Sequence, residues 1–121
     1  KIPIFHYMIA YDVIIVGGGL AGLTAAIDAR IRGHSILVIE KKSYPHHKVC
    51  GEYVSKEVLP YLESLGVSLN RFGAVSINTL QFSTVAGDAV STKLPLGGVG
   101  ISRYAFDNIL YKKAIDLNVE Y

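Results

Sequence analysis

Tyr11 to Lys41 reads YDVIIVGGGLAGLTAAIDARIRGHSILVIEK, and the organisation of the chain follows from it. Asp12 to Val16 is dominated by β-branched apolar residues, the composition of a buried parallel strand. Gly17, Gly19 and Gly22 follow at the spacing G-x-G-x-x-G. In that pattern Gly17 turns the chain sharply out of the strand, and Gly19 leaves room for a pyrophosphate against the backbone. Gly22 lets the helix pack close to the strand. An anion held there meets the unpaired N–H groups and the positive dipole end of the helix.

The context of the glycines gives the motif its force. Leu20 to Arg32 predicts a helix with Leu23, Ala26, Ile27 and Ile31 along one face, ended by Gly33-His34. Ser35 to Ile39 is a second apolar strand. Glu40 stands at its C-terminal end, 18 residues beyond Gly22, close to the spacing of about 20 for an acid that hydrogen-bonds a ribose. A plain βαβ unit with a tight turn and a surface glutamate competes with this, but the motif in its context favours a dinucleotide site. Glu40, rather than a small residue followed by arginine, argues against a ribose 2′-phosphate. The expected class is α/β, a Rossmann-like FAD- or NAD(P)-binding βαβ unit with parallel strands.

The 121 residues make one domain, and the 50% that are hydrophobic suffice for a core. A net charge of +2 without a basic stripe argues against nucleic acid. The single cysteine, Cys50, excludes an internal disulfide and fits a cytoplasmic setting. No apolar run approaches the roughly 20 residues that span a bilayer. Residues 1–10, KIPIFHYMIA, read as an N-terminal extension or upstream sequence, with translation expected to start at Met8. They lack the basic start and small-residue cleavage site of a signal peptide.

Beyond Glu40, Lys41 to Tyr53 reads as a long polar loop, and such loops inside compact domains are usually functional. The adjacent His46 and His47 suit the surface better than a metal, and no metal site is expected. Cys50-Gly51 reads either as a small buried residue before a turn or as part of a site. Ser55 to Leu65 predicts a helix capped by Ser55, kinked or starting later because of Pro60. Residues 76–95 alternate as a hairpin turning at Ala86-Gly87-Asp88 and leading towards a second layer or domain. Gly97, Gly98 and Gly100 read as a flexible loop. Tyr104 to Leu117 predicts a helix with Phe106, Ile109, Leu110, Lys113 and Leu117 near one face, Asn118 ends it, and Val119 to Tyr121 opens a third parallel strand. Asp107 is expected to stabilise the first turn of that helix.

Four segments together resemble the N-terminal part of the geranylgeranyl reductase family, within the FAD-dependent oxidoreductases of the para-hydroxybenzoate hydroxylase type. They are the Gly17 to Gly22 loop, the pair Glu40-Lys41, the segment SYPHHKVCGEYVS and the stretch ISRYAFDNILYKKA. The resemblance covers residues 11–121 and implies the incomplete FAD-binding domain of a larger two-domain flavoprotein. It implies that Gly17, Gly19, Ala21 and Gly22 line the FAD diphosphate. Glu40 would hold the adenosine ribose, with Lys41 beside it. Cys50 and Gly51 would lie by the isoalloxazine or ribityl chain, Cys50 as a candidate proton donor, and Arg103 would reach the phosphates or ribityl chain. Arginine suits that task because its planar fork pairs with phosphate oxygens; a solvent-facing Arg103 is the competing reading. The family often has two glycines after the cysteine, whereas Glu52 follows Gly51 here, so the backbone beside the flavin is expected to differ. The resemblance further implies NAD(P)H as electron donor and an isoprenoid, lipid or other apolar small molecule as substrate, with peripheral membrane contact. An aromatic monooxygenase or halogenase of the same superfamily, and a non-catalytic dinucleotide-binding module, are the other functions compatible with the sequence.

Overall fold

A computed structural model describes residues 9–121; the expected extension and start at Met8 fall mostly on residues 1–8, outside the described residues. β1 (Val13–Val16) and β2 (Ile36–Ile39) pair in parallel, Val13 opposite Ile36 and Val16 opposite Ile39. They are joined by α1 (Leu20–Ile31). The third parallel strand begins where expected. Glu120 bridges Leu37, Val38 N–H donates to the Glu120 carbonyl at 2.8 Å, and Glu120 N–H donates to the Ile36 carbonyl at 3.1 Å.

α3 (Arg103–Asp116) starts at Ser102, whose hydroxyl accepts the Ala105 N–H at 3.2 Å. It ends at Leu117, and Asn118 takes the left-handed conformation, φ 59°. Leu23, Ala26 and Ile27 of α1 meet Ile36 and Val38 of β2 and Phe106, Leu110 and Ala114 of α3 in one buried cluster. Each large side chain buried there contributes about 1.5–3 kcal/mol relative to exposure. This core holds the N-termini of α1 and α3 in fixed relation, which positions the site described below. β1 departs from the expected buried strand. Among the described residues only its β2 edge is paired, and Ile14 and Val16 stand 56% and 82% exposed.

The second layer is a three-stranded antiparallel sheet, β3 (Tyr53–Ser55), β5 (Ala89–Gly100) and β4 (Val75–Ser83), with β5 in the centre. The hairpin is therefore longer than residues 76–95. The glycine patch expected as a loop is the end of β5, pairing Gly98 with Ser55 on one side and Ile77 on the other. The physical reason is close packing: a Cβ on Gly98 would run into the Tyr53 ring, whose hydroxyl donates to the Gly97 carbonyl at 3.0 Å. Tyr53 to Ser55, expected as loop and helix cap, is an edge strand. Ser55 caps a 3-10 turn, Lys56–Val58, and the α-helix proper, α2 (Leu59–Ser64), begins just before Pro60. Proline is tolerated there because the first N–H groups of a helix have no partner anyway. The distal hairpin is solvated on both faces, with Phe82 and Val90 exposed.

Candidate functional site

The turn between β1 and α1 forms the floor of the site. Gly17 sits at φ +104°, a conformation that disfavours any other residue, and its N–H donates to the Ile39 carbonyl at 2.8 Å. A Cβ on Gly22 would collide with the Gly17 carbonyl, so Gly22 sets the helix close to the strand as the spacing predicts. A Cβ on Gly19 meets no backbone. Its nearest neighbours would be Lys48 Nζ at 3.7 Å and Arg103 Nη2 at 3.9 Å. Gly19 is also the N-cap of α1, with no side-chain cap and no acidic residue in the first turn. The first N–H groups of α1 thus lack a side-chain acceptor, while two cations stand over the same spot. An anion would satisfy both.

Arg103 does not face solvent. Its Nε and Nη2 donate to the two carboxylate oxygens of Asp107 at 2.7 and 2.9 Å, and Lys48 Nζ lies 3.0 Å from Asp107 Oδ2. Asp107, expected to stabilise the first turn of α3, is fully buried and takes the fork of Arg103, the first residue of that helix. Its bidentate pairing, with a smaller contribution from the nearby Cys50 thiol, holds the Arg103 guanidinium above its ordinary range.

Glu40 turns into the glycine loop. Oε2 accepts the Gly18 N–H at 2.8 Å and Oε1 the Lys42 N–H at 3.0 Å. Burial alone would raise its carboxyl, but these N–H donors and the Lys48 charge outweigh it and hold Glu40 below the usual range. The Tyr44 hydroxyl donates to the Gly18 carbonyl, and its ring stacks on Tyr111 of α3 at 4.3 Å between centroids. Burial, then the Glu40 charge, pushes Tyr44 up to about 12. A cleft of about 390 Å³ beside Glu40 is lined by Lys41, Tyr44, Tyr111 and Tyr121.

The remaining expected residues lie along the rim. Ala21 is exposed on the first turn of α1, and Lys41 is exposed beside Glu40. Cys50 is an exposed free thiol accepting the Glu52 N–H at 3.4 Å, and a Cβ on Gly51 would meet nothing within 4 Å. Glu52 takes φ 55°, a left-handed conformation that favours glycine. His46 is half-buried rather than on the surface, its Nδ1 3.0 Å from the Ser43 carbonyl, while His47 stacks on Tyr104. Among the described residues no group of three His, Cys, Asp or Glu side chains is arranged to hold a metal ion. No helix of the described residues is long and apolar enough to cross a membrane.

Sequence reasoning missed Gly18, Tyr44, Lys48 and Asp107. Gly18 is required because a Cβ there would overlap the Tyr44 hydroxyl. For Asp107 a signal existed: its i,i+4 spacing from Arg103 is that of a helical ion pair. Nothing local marks Tyr44 or Lys48, since their partners lie 26 and 59 residues away.

Residues 12–49 match the FAD binding domain family. The chain is 30% identical over 93% of its length to the 1H-pyrrole-2-carbonyl-[peptidyl-carrier protein] brominase of Pseudoalteromonas luteoviolacea. It is 33% identical over 80% of its length to the digeranylgeranylglycerophospholipid reductase of Sulfolobus acidocaldarius. It spans 28% and 24% of those two relatives. The solved structure of the flavin-dependent brominase Bmp2 superposes with a TM-score of 0.76 at 26% identity, covering 92% of this chain and 28% of that one. The fold is Rossmann-type, and the glycine turn lies within the segment that matches the FAD binding domain family. The chain is similar to part of a brominase, of a FAD-dependent monooxygenase and of a digeranylgeranylglycerophospholipid reductase.

Proposed function

We propose that this chain is the FAD-holding portion of an oxidoreductase resembling geranylgeranyl reductases, with NAD(P)H as electron donor and an isoprenoid, lipid or other apolar molecule as substrate. The observation that carries it is the space over Gly19, which a side chain longer than a Cβ would fill and which Arg103 and Lys48 overlook at an uncapped helix end. Gly17, Gly19, Ala21, Gly22 and Arg103 hold the diphosphate. Glu40 keeps lone pairs for the adenosine ribose, with Lys41 beside it, and Cys50 and Gly51 border the flavin end. The bound cofactor supplies two-electron redox chemistry, and these residues bind and orient it. In this reading the exposed Cys50 thiol, a neighbour of Arg103, serves as a proton donor. The proposed setting is the cytoplasm, with peripheral contact to the membrane that stores an apolar substrate.

Similarity to a brominase over 93% of the chain favours a second function, a halogenase or monooxygenase of the same superfamily. The test is the visible spectrum of the full-length protein before and after NADPH without oxygen. A yellow protein that bleaches supports the oxidoreductase. Products that require oxygen, with or without bromide, favour the second function. A colourless preparation that takes up NAD instead refutes both.

A further inference from the structure

Tyr44 reaches back to the glycine turn from the loop between β2 and β3, and its hydroxyl donates to the Gly18 carbonyl. The ring that carries this hydroxyl is itself held. It lies nearly flat on Tyr111 of α3, 4.3 Å between centroids and 16° between planes, with the edge of Tyr121 6.4 Å away. The Gly18 N–H, for its part, donates to Glu40 Oε2 at 2.8 Å. Glu40 thus fixes the peptide plane between Gly17 and Gly18, and Tyr44 fixes the next plane, between Gly18 and Gly19.

That second plane is the one free to turn over. Neither of its glycines carries a Cβ, so a flip of the peptide between them meets little steric resistance. The peptide is trans, and its N–H therefore points opposite to its C=O. A Gly18 carbonyl held by Tyr44 turns the Gly19 N–H to the face away from Tyr44. A flipped plane would present the carbonyl oxygen on that face, where it would repel an anion that an N–H binds.

We propose that Tyr44 is a positioning residue for the cofactor, locking the Gly18–Gly19 peptide in the orientation that offers an N–H to the diphosphate. This rests on the FAD assignment above and names a residue which that assignment does not use. Tyr44 acts through Gly18 and does not touch the phosphates. Its stack on Tyr111 ties the orientation of the glycine turn to α3, an element distant in sequence.

The test uses apoprotein of the full-length chain with isotope-labelled glycine, as wild type and as Tyr44→Phe, which keeps the stacked ring and removes only the hydroxyl. Relaxation dispersion of the glycine amides reads the flip, and titrations with FAD, ADP and adenosine read binding. In the wild type the Gly19 amide should show no exchange. In Tyr44→Phe the amides of Gly18 and Gly19 should exchange, while those of Gly22 and Gly33 stay as in the wild type. FAD and ADP affinities should fall about three- to tenfold, the worth of one hydrogen bond, with adenosine held within about twofold. A merely structural role would loosen all four amides together and weaken the three ligands alike. Either of those results overturns the proposal, as does unchanged FAD affinity in Tyr44→Phe. Should that variant fail to fold, the wild-type Gly19 amide decides: exchange there overturns the proposal, and its absence supports it. Wild-type protein that takes no FAD overturns the underlying cofactor assignment instead, while the Gly19 measurement still stands, so the two failures are distinguishable.

Discussion

Gly22 lies so close to Gly17 that a Cβ on Gly22 would run into the Gly17 carbonyl oxygen and stand 3.3 Å from the Ile15 side chain. Gly19, two residues beyond Gly17, has no such neighbour; only cation tips lie near it, and its backbone at φ −82° suits any residue. The two glycines thus serve different ends, one for the fold and one for the ligand. Gly22→Ala should destabilise the domain by about 1–3 kcal/mol through overpacking. Gly19→Val should leave the melting temperature of the apoprotein within a few degrees while abolishing flavin uptake. Calorimetry and bound-flavin absorbance on both variants check this. Retained flavin in Gly19→Val would sink the diphosphate placement.

Glu40 makes the fold sensitive to acid. Its carboxyl is held below its ordinary value of 4.5. A depressed folded value means the stabilisation is complete above that ordinary value and fades as pH falls through the lower one. Glu40→Gln should flatten the acid limb of the stability curve below about pH 4.5, measured by denaturant titration across pH. An unaltered acid limb would show that the Gly18 and Lys42 contacts do not persist in solution.

Tyr44 sets the opposite limb. Its phenol is raised from 10.0 to about 12, first by burial and then by the Glu40 charge. The neutral form contributes stability in full below pH 10, and this is lost as pH rises through about 12. Tyr11 and Tyr121 are raised as well, so ultraviolet titration should show several tyrosines ionising late, one fewer in Tyr44→Phe. That variant should also lose about 0.5–1.5 kcal/mol with the Gly18 hydrogen bond. Identical titration of the two proteins would refute the placement of the hydroxyl.

Glu52 holds a left-handed backbone at φ 55°. The conformation costs a side-chain-bearing residue about 1–2 kcal/mol. Glu52→Gly should therefore raise stability by up to about 1 kcal/mol, after the greater flexibility of glycine in the unfolded chain is deducted. A lower melting temperature for this variant would mean that the glutamate side chain outweighs the strain.

The sequence by itself determined the parallel βαβ unit, the glycine turn, Glu40 at its edge and the helix that bears Arg103. Each rests on interactions between residues near in sequence or on a strong apolar period, which a linear pattern displays. Only the tertiary structure decided that Asp107 is buried under two cations, that Tyr44 clamps Gly18, and that Gly97 to Gly100 is the end of a strand rather than a loop. These depend on partners brought together by packing: Lys48 with Asp107, Tyr44 with Gly18 and Tyr111, Tyr53 with Gly98. Burial and charge balance arise from that convergence of separate segments, and no local composition encodes it.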